Sequence, residues 1–325
     1  MSMHISDYVF ETLLGRGTFG SVYLVRRKTN SKPFVVKEQM FNAANALPFK
    51  NILGEVQYLH KLRHPNIVAY YGAWIEDDRC YILMEYATRC TLKDLLNKRR
   101  TPLTEGDALY LFSQVVLGVH HIHYKKILHR DLKPENIMLT GSRGDIVKIG
   151  DFGISKNFQD RYLIVQRRRY ARRVGDSSIT CRAGSLYYMA PEIFERQCYD
   201  FKCDIWSMGV VLYEMVTKRH PFPATLDEFQ DAADIVKMVC KEQPRSFRGY
   251  ASPAIVNLIS KMLRKLPFSR PKTDQLMLCP YLVPFIARTY LNLGRVPCTF
   301  GQEKGIWNSE VFLKFLKPLD KHRTI

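Results

Sequence analysis

The sequence has no C-x-x-C pair among its eight cysteines, which stand apart at positions 80, 90, 181, 198, 203, 240, 279 and 298. That spacing reads as reduced thiols in an intracellular chain, not as a disulfide framework. No window approaches the roughly 18 consecutive apolar residues of a membrane-spanning helix. The opening MSMHISDYVF has no basic stretch leading into an apolar one. A transmembrane segment and a secretory leader are therefore not expected; the cytoplasm is the favoured compartment, with nucleus and cytoskeleton left open. Internal repeats and low-complexity linkers are also missing, which argues for one continuous unit to about residue 290. Acid is scarce: 31 Asp and Glu face 49 Lys and Arg, a formal charge of +18. Such a chain attracts polyanions, whether nucleotide, nucleic acid, acidic lipid or acidic protein, and charge alone does not choose among them.

What the chain does have is apolar material, 46% hydrophobic and 12% aromatic residues over 325, enough for a large core. Before about residue 95 the pattern is short β-rich runs: YVFETLL, SVYLVRR, FVVKEQM, IVAYYGAW and CYILMEY. One stretch among them, ILGEVQYLHKL, spaces Ile52, Val56, Leu59 and Leu62 as a helix does. Afterwards the runs lengthen and turn helical, as in DALYLFSQVVLGVHHIHY, CDIWSMGVVLYEMVT, ADIVKMVCK and PAIVNLISKML. The expected fold class is α+β with two lobes, a small β-rich amino-terminal one and a larger, mainly helical one. The cleft between them is the default ligand site.

GRGTFGSV, residues 15–22, lies between two β-runs, and its glycines let the backbone turn sharply and approach a phosphate. Ser21 to Arg26 read as strand, which disfavours a dinucleotide-binding strand–turn–helix. An ordinary glycine hairpin would also account for it. FVVK then sets Lys37 inside an apolar strand, where an ammonium needs a partner, and Glu55 on the helical stretch could supply it. A plain salt bridge would explain that pair. Further on, ILHRDLKPENIML gathers His129, Arg130, Asp131, Lys133 and Asn136 in a short polar stretch, and DFG follows at 151–153.

Together with APE at 190–192, DIWSMG at 204–209 and Arg270 in SRP, these segments stand in one order across the chain, and in that order the chain resembles the eukaryotic protein kinases. ILHRDLKPENIMLT, KIGDFGISK, TCRAGSLYYMAPEI and YASPAIVNLISKMLRKLPFSRP are similar to the NIMA-related group in particular. The resemblance implies a bilobal kinase domain over about 8–286, with lobes 8–86 and 87–286, an activation segment at 151–192 and an extension at 287–325. It implies ATP and Mg²⁺ as cofactors. Leu14, Gly15, Arg16, Gly17, Thr18, Phe19, Gly20, Ser21 and Val22 would cover the nucleotide, and Lys37, held by Glu55, would grip its α- and β-phosphates. Glu85 to Ala87 would be the hinge for adenine, with Met84 guarding the back of the pocket. Asn136 and Asp151 would be the metal ligands. Asp131 would be the catalytic base and Lys133 would offset charge on the γ-phosphate, because phosphoryl transfer is mostly positioning and charge balance. After the hinge the chain reads TRCTLKDLL, where many relatives have two glycines and an acid that reaches the ribose.

Lys133 and Ser185, in DLKPEN and GSLYYMAPE, point to the serine/threonine class. The expected partners are protein substrates and an upstream activating kinase, or the chain itself acting in trans; no nucleic-acid recognition module is legible, and the oligomeric state is left open. A catalytically weak kinase-fold scaffold that binds nucleotide and protein is the alternative, disfavoured because no catalytic position departs from the pattern. The stretch VQRRRYARRVGDSS, 165–178, puts five arginines inside the activation segment. It reads as a regulatory insert, a docking strip for acidic substrates or a solvated loop. Thr180 just beyond it is the candidate activating phosphosite, answering to Arg130, with Ser177 and Ser178 behind it. HHIH, 120–123, reads as core histidines and not as a metal site. Cys198 and Cys203 read as packing residues, and Trp307, Val311 and Phe315 as one face of a short amphipathic helix.

Overall fold

The computed structural model describes residues 3–17, 20–40, 56–152, 155–157, 183–195, 199–222, 232–247 and 249–292. Thr18, Phe19, Glu55, most of the activation segment with the arginine run and Thr180, Cys198, and the extension from 293 onward lie outside the described residues.

Strands β1 (Tyr8–Gly17), β2 (Gly20–Arg27) and β3 (Pro33–Met40) come first; helix α1, described at residues 56–61, precedes β4 (Tyr70–Glu76) and β5 (Arg79–Glu85). They form one antiparallel sheet in the order β1-β2-β3-β5-β4. The β4–β5 hairpin turns on Asp77 and Asp78, both at positive φ (48° and 57°), as a two-residue turn matching strand twist requires. Alternation then sorts the residues of β3. Phe34 and Val36 join Tyr8, Val25, Tyr81 and Leu83 in a cluster on one face, which leaves Lys37 on the other, opposite Ile82 of β5. The run IVAYYGAW is a strand only from Tyr70. Ile67 instead bridges Ile149 in parallel, and Val68 N–H donates to the Ile149 carbonyl at 2.9 Å. That seam ties the sheet to the helical lobe, and the main core runs through it without a break, from Leu59 and Ile82 to Trp206 and Ile259.

The helical lobe opens with β6 (Cys90–Thr91) and α2 (Leu92–Lys98), followed by α3 (Glu105–Tyr124). Thr91 and Thr104 cap the two helices, each accepting from a backbone N–H three residues on. Short strands β7 (Ile127–Leu128), β8 (Ile137–Thr140), β9 (Ile146–Ile149) and β10 (Lys156–Asn157) frame the catalytic-loop segment; β8 pairs with β6 and β9, and β7 with β10. Such two- to four-residue strands carry too little alternation to be read from sequence. Then come α4 (Ala183–Leu186), α5 (Pro191–Phe194), α6 (Lys202–Thr217), α7 (Ala232–Lys241), α8 (Pro253–Met262), α9 (Thr273–Met277) and α10 (Val283–Asn292). Every residue of α6 is buried, including Lys202, Asp204 and Glu214. A helix covered on all sides is the axle of its lobe, and polar groups on it need partners inside the protein. The last described helix, α10, carries on past residue 286 to Asn292, whose amide donates to the Tyr110 hydroxyl of α3 at 3.1 Å.

Candidate active site

The turn between β1 and β2 pairs Gly17 with Gly20. Gly20 has φ +132°, and a Cβ there would sit 1.9 Å from the Glu38 carbonyl oxygen, so only glycine fits. Gly15 differs: a Cβ there would meet no protein atom within 4 Å, so the protein's own packing does not demand a glycine at that position. Open space at that point is what close approach of a bulky anion needs. Lys37 is buried and reaches Asp151, Nζ to Oδ1 at 3.6 Å. Its expected pairing with Glu55 lies outside the described residues.

Between β7 and β8 the chain makes a tight polar turn. Lys133 Nζ donates to Asp131 Oδ2 at 2.6 Å and to Ser185 Oγ at 2.7 Å. Asn136 Nδ2 donates to the same Oδ2 at 2.9 Å and to the Asp131 carbonyl at 2.8 Å. The residues expected to act together, Asp131, Lys133, Asn136 and Ser185, thus form one connected network. Arg130 and Asp151 hold positive φ, 71° and 57°, a conformation costly for residues with side chains and concentrated at functional positions. Phe152 after Asp151 is buried, its ring 4.9 Å from that of His129. His129 accepts the Asp131 N–H at Nδ1 (3.3 Å), so Nε2 carries the proton and donates to the Gly150 carbonyl at 3.0 Å.

At the hinge, backbone position and side chain have separate work. The Glu85 carboxylate accepts from Lys148 Nζ of β9 at 2.8 Å and from the Ala69 N–H at 3.0 Å. The side chain therefore fastens the two lobes, and the Glu85 N–H is itself spent on the Ala69 carbonyl at 2.8 Å. Thr91 stands where many relatives carry the ribose-binding acid, and its hydroxyl is committed to capping α2, donating to Asp94 Oδ2 at 2.7 Å. The donor set fits a hard cation: once Asn136 Nδ2 is spent on Asp131, its amide offers oxygen, and the half-exposed Asp151 carboxylate follows Gly150, whose N–H donates to the Asn136 carbonyl at 3.0 Å.

Sequence reasoning missed the post that holds this loop. Asp204, in the first turn of α6 and shut from solvent, accepts the backbone N–H groups of His129 (3.0 Å) and Arg130 (2.8 Å) and lies 2.8 Å from His123 Nε2. Burial pushes its carboxyl up, but the His123 hydrogen bond and the neighbouring donors outweigh this and hold it below the usual range. An acid inside the apolar run CDIWSMGVV was the available signal, because a buried carboxylate must be paired. The HHIH histidines are accounted for as core residues: His120 lies 3.2 Å from Thr273 Oγ1, His123 binds Asp204, and burial, then Lys125, pushes His121 down to about 4. Cys203 is fully buried inside α6. Glu192 of APE and Arg270 of SRP meet in a buried bidentate pair at 2.7 and 2.8 Å. Farther along α6, Glu214 accepts from the Tyr188 hydroxyl at 2.8 Å, under the segment that carries Ser185.

A protein kinase domain model matches residues 8–282. Mouse serine/threonine-protein kinase Nek5 is 35% identical over 278 residues, covering 85% of this chain and 40% of that protein. Zebrafish (Danio rerio) Nek8 is 35% identical over 90% of this chain and 39% of its own length. The Caenorhabditis elegans serine/threonine-protein kinase nekl-2 is 29% identical over 90% of this chain and 79% of its own. The chain thus spans well under half the length of the two Nek proteins it matches at higher identity. Matched along most of its length, with the network around Asp131 in the order its segments predict, the chain belongs to the protein kinase family, with NIMA-related serine/threonine kinases among its relatives.

Proposed function

We propose that the chain is a serine/threonine protein kinase that moves the γ-phosphate of ATP to Ser or Thr hydroxyls of proteins, through a kinase domain of residues 8–286 whose last described helix continues to Asn292. One observation carries this: a single ammonium, Lys133 Nζ, bridges Asp131 Oδ2 and Ser185 Oγ at 2.6 and 2.7 Å. Lys133 and Asn136 both occupy Oδ2. Oδ1 is then the oxygen that accepts the substrate hydroxyl's proton-bearing bond and orients its attack. Lys133 sits on the far side of that oxygen pair, ready to balance charge on the group in transfer. Lys37, on the sheet face below the glycine turn, supplies a second fixed cation for the other phosphates. Asn136 and Asp151 would hold Mg²⁺, which when bound offsets phosphate charge. Protein kinases use ATP as a family; adenine capture by the backbone of 85–87 belongs to the proposal, as does an intracellular location. The scaffold alternative gains no support from any catalytic position.

Regulation belongs to the same proposal. Phosphate on Thr180, added by an upstream kinase or by the chain in trans, would order the activation segment through Arg130, whose guanidinium carbon lies 5.5 Å over the Tyr199 ring. The test is to incubate the chain and its Asp131→Asn variant with Mg-ATP and an arrayed Ser/Thr and Tyr peptide set, mapping phosphosites by mass spectrometry. The expected result is transfer to Ser and Thr, reduced at least about a hundredfold in the variant. Equal transfer by both would sink the proposal, and full activity in a dephosphorylated Thr180→Ala chain would remove its regulatory part.

A further inference from the structure

Three stretches far apart in sequence meet beside the catalytic loop and bring their cations to one surface. α2 ends at Lys98 and is followed by Arg99 and Arg100; Lys218 and Arg219 follow α6; Arg245 lies beyond α7. Lys218 Nζ donates to the Arg99 carbonyl, and Leu103 N–H donates to the Met215 carbonyl at 3.0 Å, which locks the first stretch onto the second. Arg245 N–H donates to the Pro221 carbonyl at 2.7 Å, which locks the third. The Arg219 guanidinium carbon lies 5.8 Å over the Tyr250 ring. Lys98, Arg100, Lys218, Arg219 and Arg245 are exposed.

Among the described residues none of these cations forms a salt bridge, although Lys98 acts at longer range on Asp94, and the hydrogen bonds of the neighbouring acids lie elsewhere. Asp94 caps α2 through Thr91, Glu105 accepts the Ser252 N–H, and Glu214 is buried against Tyr188. Arg99 adds a second observation: its Nε is shut from solvent and has no hydrogen-bond partner among the described residues. Like charges gathered with no salt-bridged counter-charge among the described residues repel one another, so the surface favours an anionic partner. Its position says which kind. Lys93, five residues before Lys98 on α2, lies 3.8 Å from Glu135, which sits between Lys133 and Asn136. Lys218 follows Glu214 by one helical turn, and Glu214 holds the segment bearing Ser185. Both helices therefore touch the catalytic machinery, α2 through Lys93 and Glu135 and α6 through Glu214 and Tyr188.

We infer that this collar is a docking surface for an acidic stretch of the protein substrate, several residues removed from the phosphoacceptor. The inference rests on the kinase proposal and names its substrate class. It concerns α2, α6 and the 245–250 turn, not the arginine run of the activation segment. Nucleic acid or an anionic membrane would match the charge equally, but neither presents a hydroxyl side chain to the loop from which the surface extends.

The experiment uses the full chain and two fluorescent serine peptides, alike except that one carries a run of glutamates and the other glutamines. Binding is read by anisotropy and transfer by steady-state rates. The glutamate peptide is expected to bind about tenfold more tightly at low salt, the advantage shrinking as salt is added. Lys218→Glu with Arg219→Glu should abolish that advantage while leaving the rate on the glutamine peptide unchanged; Lys98→Gln with Arg100→Gln should do so from the opposite side, in case the first pair disturbs folding. Equal binding of the two peptides by the parent chain overturns the inference, as does an advantage that survives both variants. Preferential capture of a single-stranded RNA or an anionic vesicle of matched charge, lost in the same variants, also overturns it. Transfer without a glutamate advantage leaves the kinase proposal standing alone. Binding without transfer sinks the kinase proposal and leaves the docking surface.

Discussion

Asp204 and Glu214 lie near opposite ends of one helix, α6, and both are buried, yet their carboxyls move in opposite directions. Burial disfavours the charged form at each end. At the first turn it is overcome: Asp204 faces two backbone N–H groups and His123, and the helix N-terminus adds its own positive end. At the last turn it prevails. Among the described residues Glu214 has the Tyr188 hydroxyl as its one side-chain donor, with Lys93 acting at a distance, at the helix end where the dipole repels an anion, and burial pushes it up to about 7. The number of aimed donors, not depth, decides whether a buried acid acts as a fixed charge. The fixed one anchors the loop that carries Asp131; the titratable one supports the segment that carries Ser185.

Three substitutions break or sharpen that contrast. Asp204→Ala has the largest expected effect, about 4 kcal/mol of lost stability by urea unfolding, since it leaves several buried donors without an acceptor. Transfer should fall with it, because the Arg130 backbone at φ 71° loses its acceptor. Glu214→Gln comes next, with the opposite sign. A carboxyl whose folded value is raised from 4.5 to about 7 binds protons in the native state that the unfolded chain has released, so stability drops as pH rises from the first value to the second and then levels off. The amide removes that cost and can still accept from Tyr188. The gain in stability should be about 3 kcal/mol at pH 8 and under about 1 kcal/mol at pH 5; a gain independent of pH would place the cost elsewhere. His123→Leu is the mildest, about 1 to 2 kcal/mol, and makes the first turn more like the last. Its diagnostic is acid unfolding. Asp204 is now held below its usual range, so its contribution persists above the unfolded value and fades as pH falls through the folded one. With the His123 bond gone, that loss should begin at higher pH.

Much of the site was legible because its residues are clustered in sequence. Asp131, Lys133 and Asn136 stand within one short turn, and the glycines at 15, 17 and 20 mark a strand-to-strand turn whatever surrounds them. Strands with clear alternation and helices with long apolar faces were legible for the same reason, being local patterns. The two-residue strands β6, β7 and β10 were not, because pairing across the lobe makes them strands, not their own composition. The start of β4 was misjudged on that account: Ile67 and Val68 are as β-prone as their neighbours, but Val68 N–H donates to the Ile149 carbonyl and Ile149 N–H to the Asn66 carbonyl, so this stretch bridges Ile149 and leaves the sheet. Glu85 was identified for its backbone, while its side chain ties the hinge to Lys148, 63 residues away in sequence.

By itself the sequence determined the order of the catalytic segments, the two-lobed α+β fold and the chemistry offered at each position, because these follow from residue type and short-range spacing. Only the tertiary structure decided which charges are neutralised and which are left over. It brought Asp204 under the catalytic loop, gave Glu214 the Tyr188 hydroxyl, and among the described residues left Lys98, Arg100, Lys218, Arg219 and Arg245 without salt bridges. Electrostatic partners are set by distance in space and by the donors within reach, and neither is written in the spacing of residues along the chain.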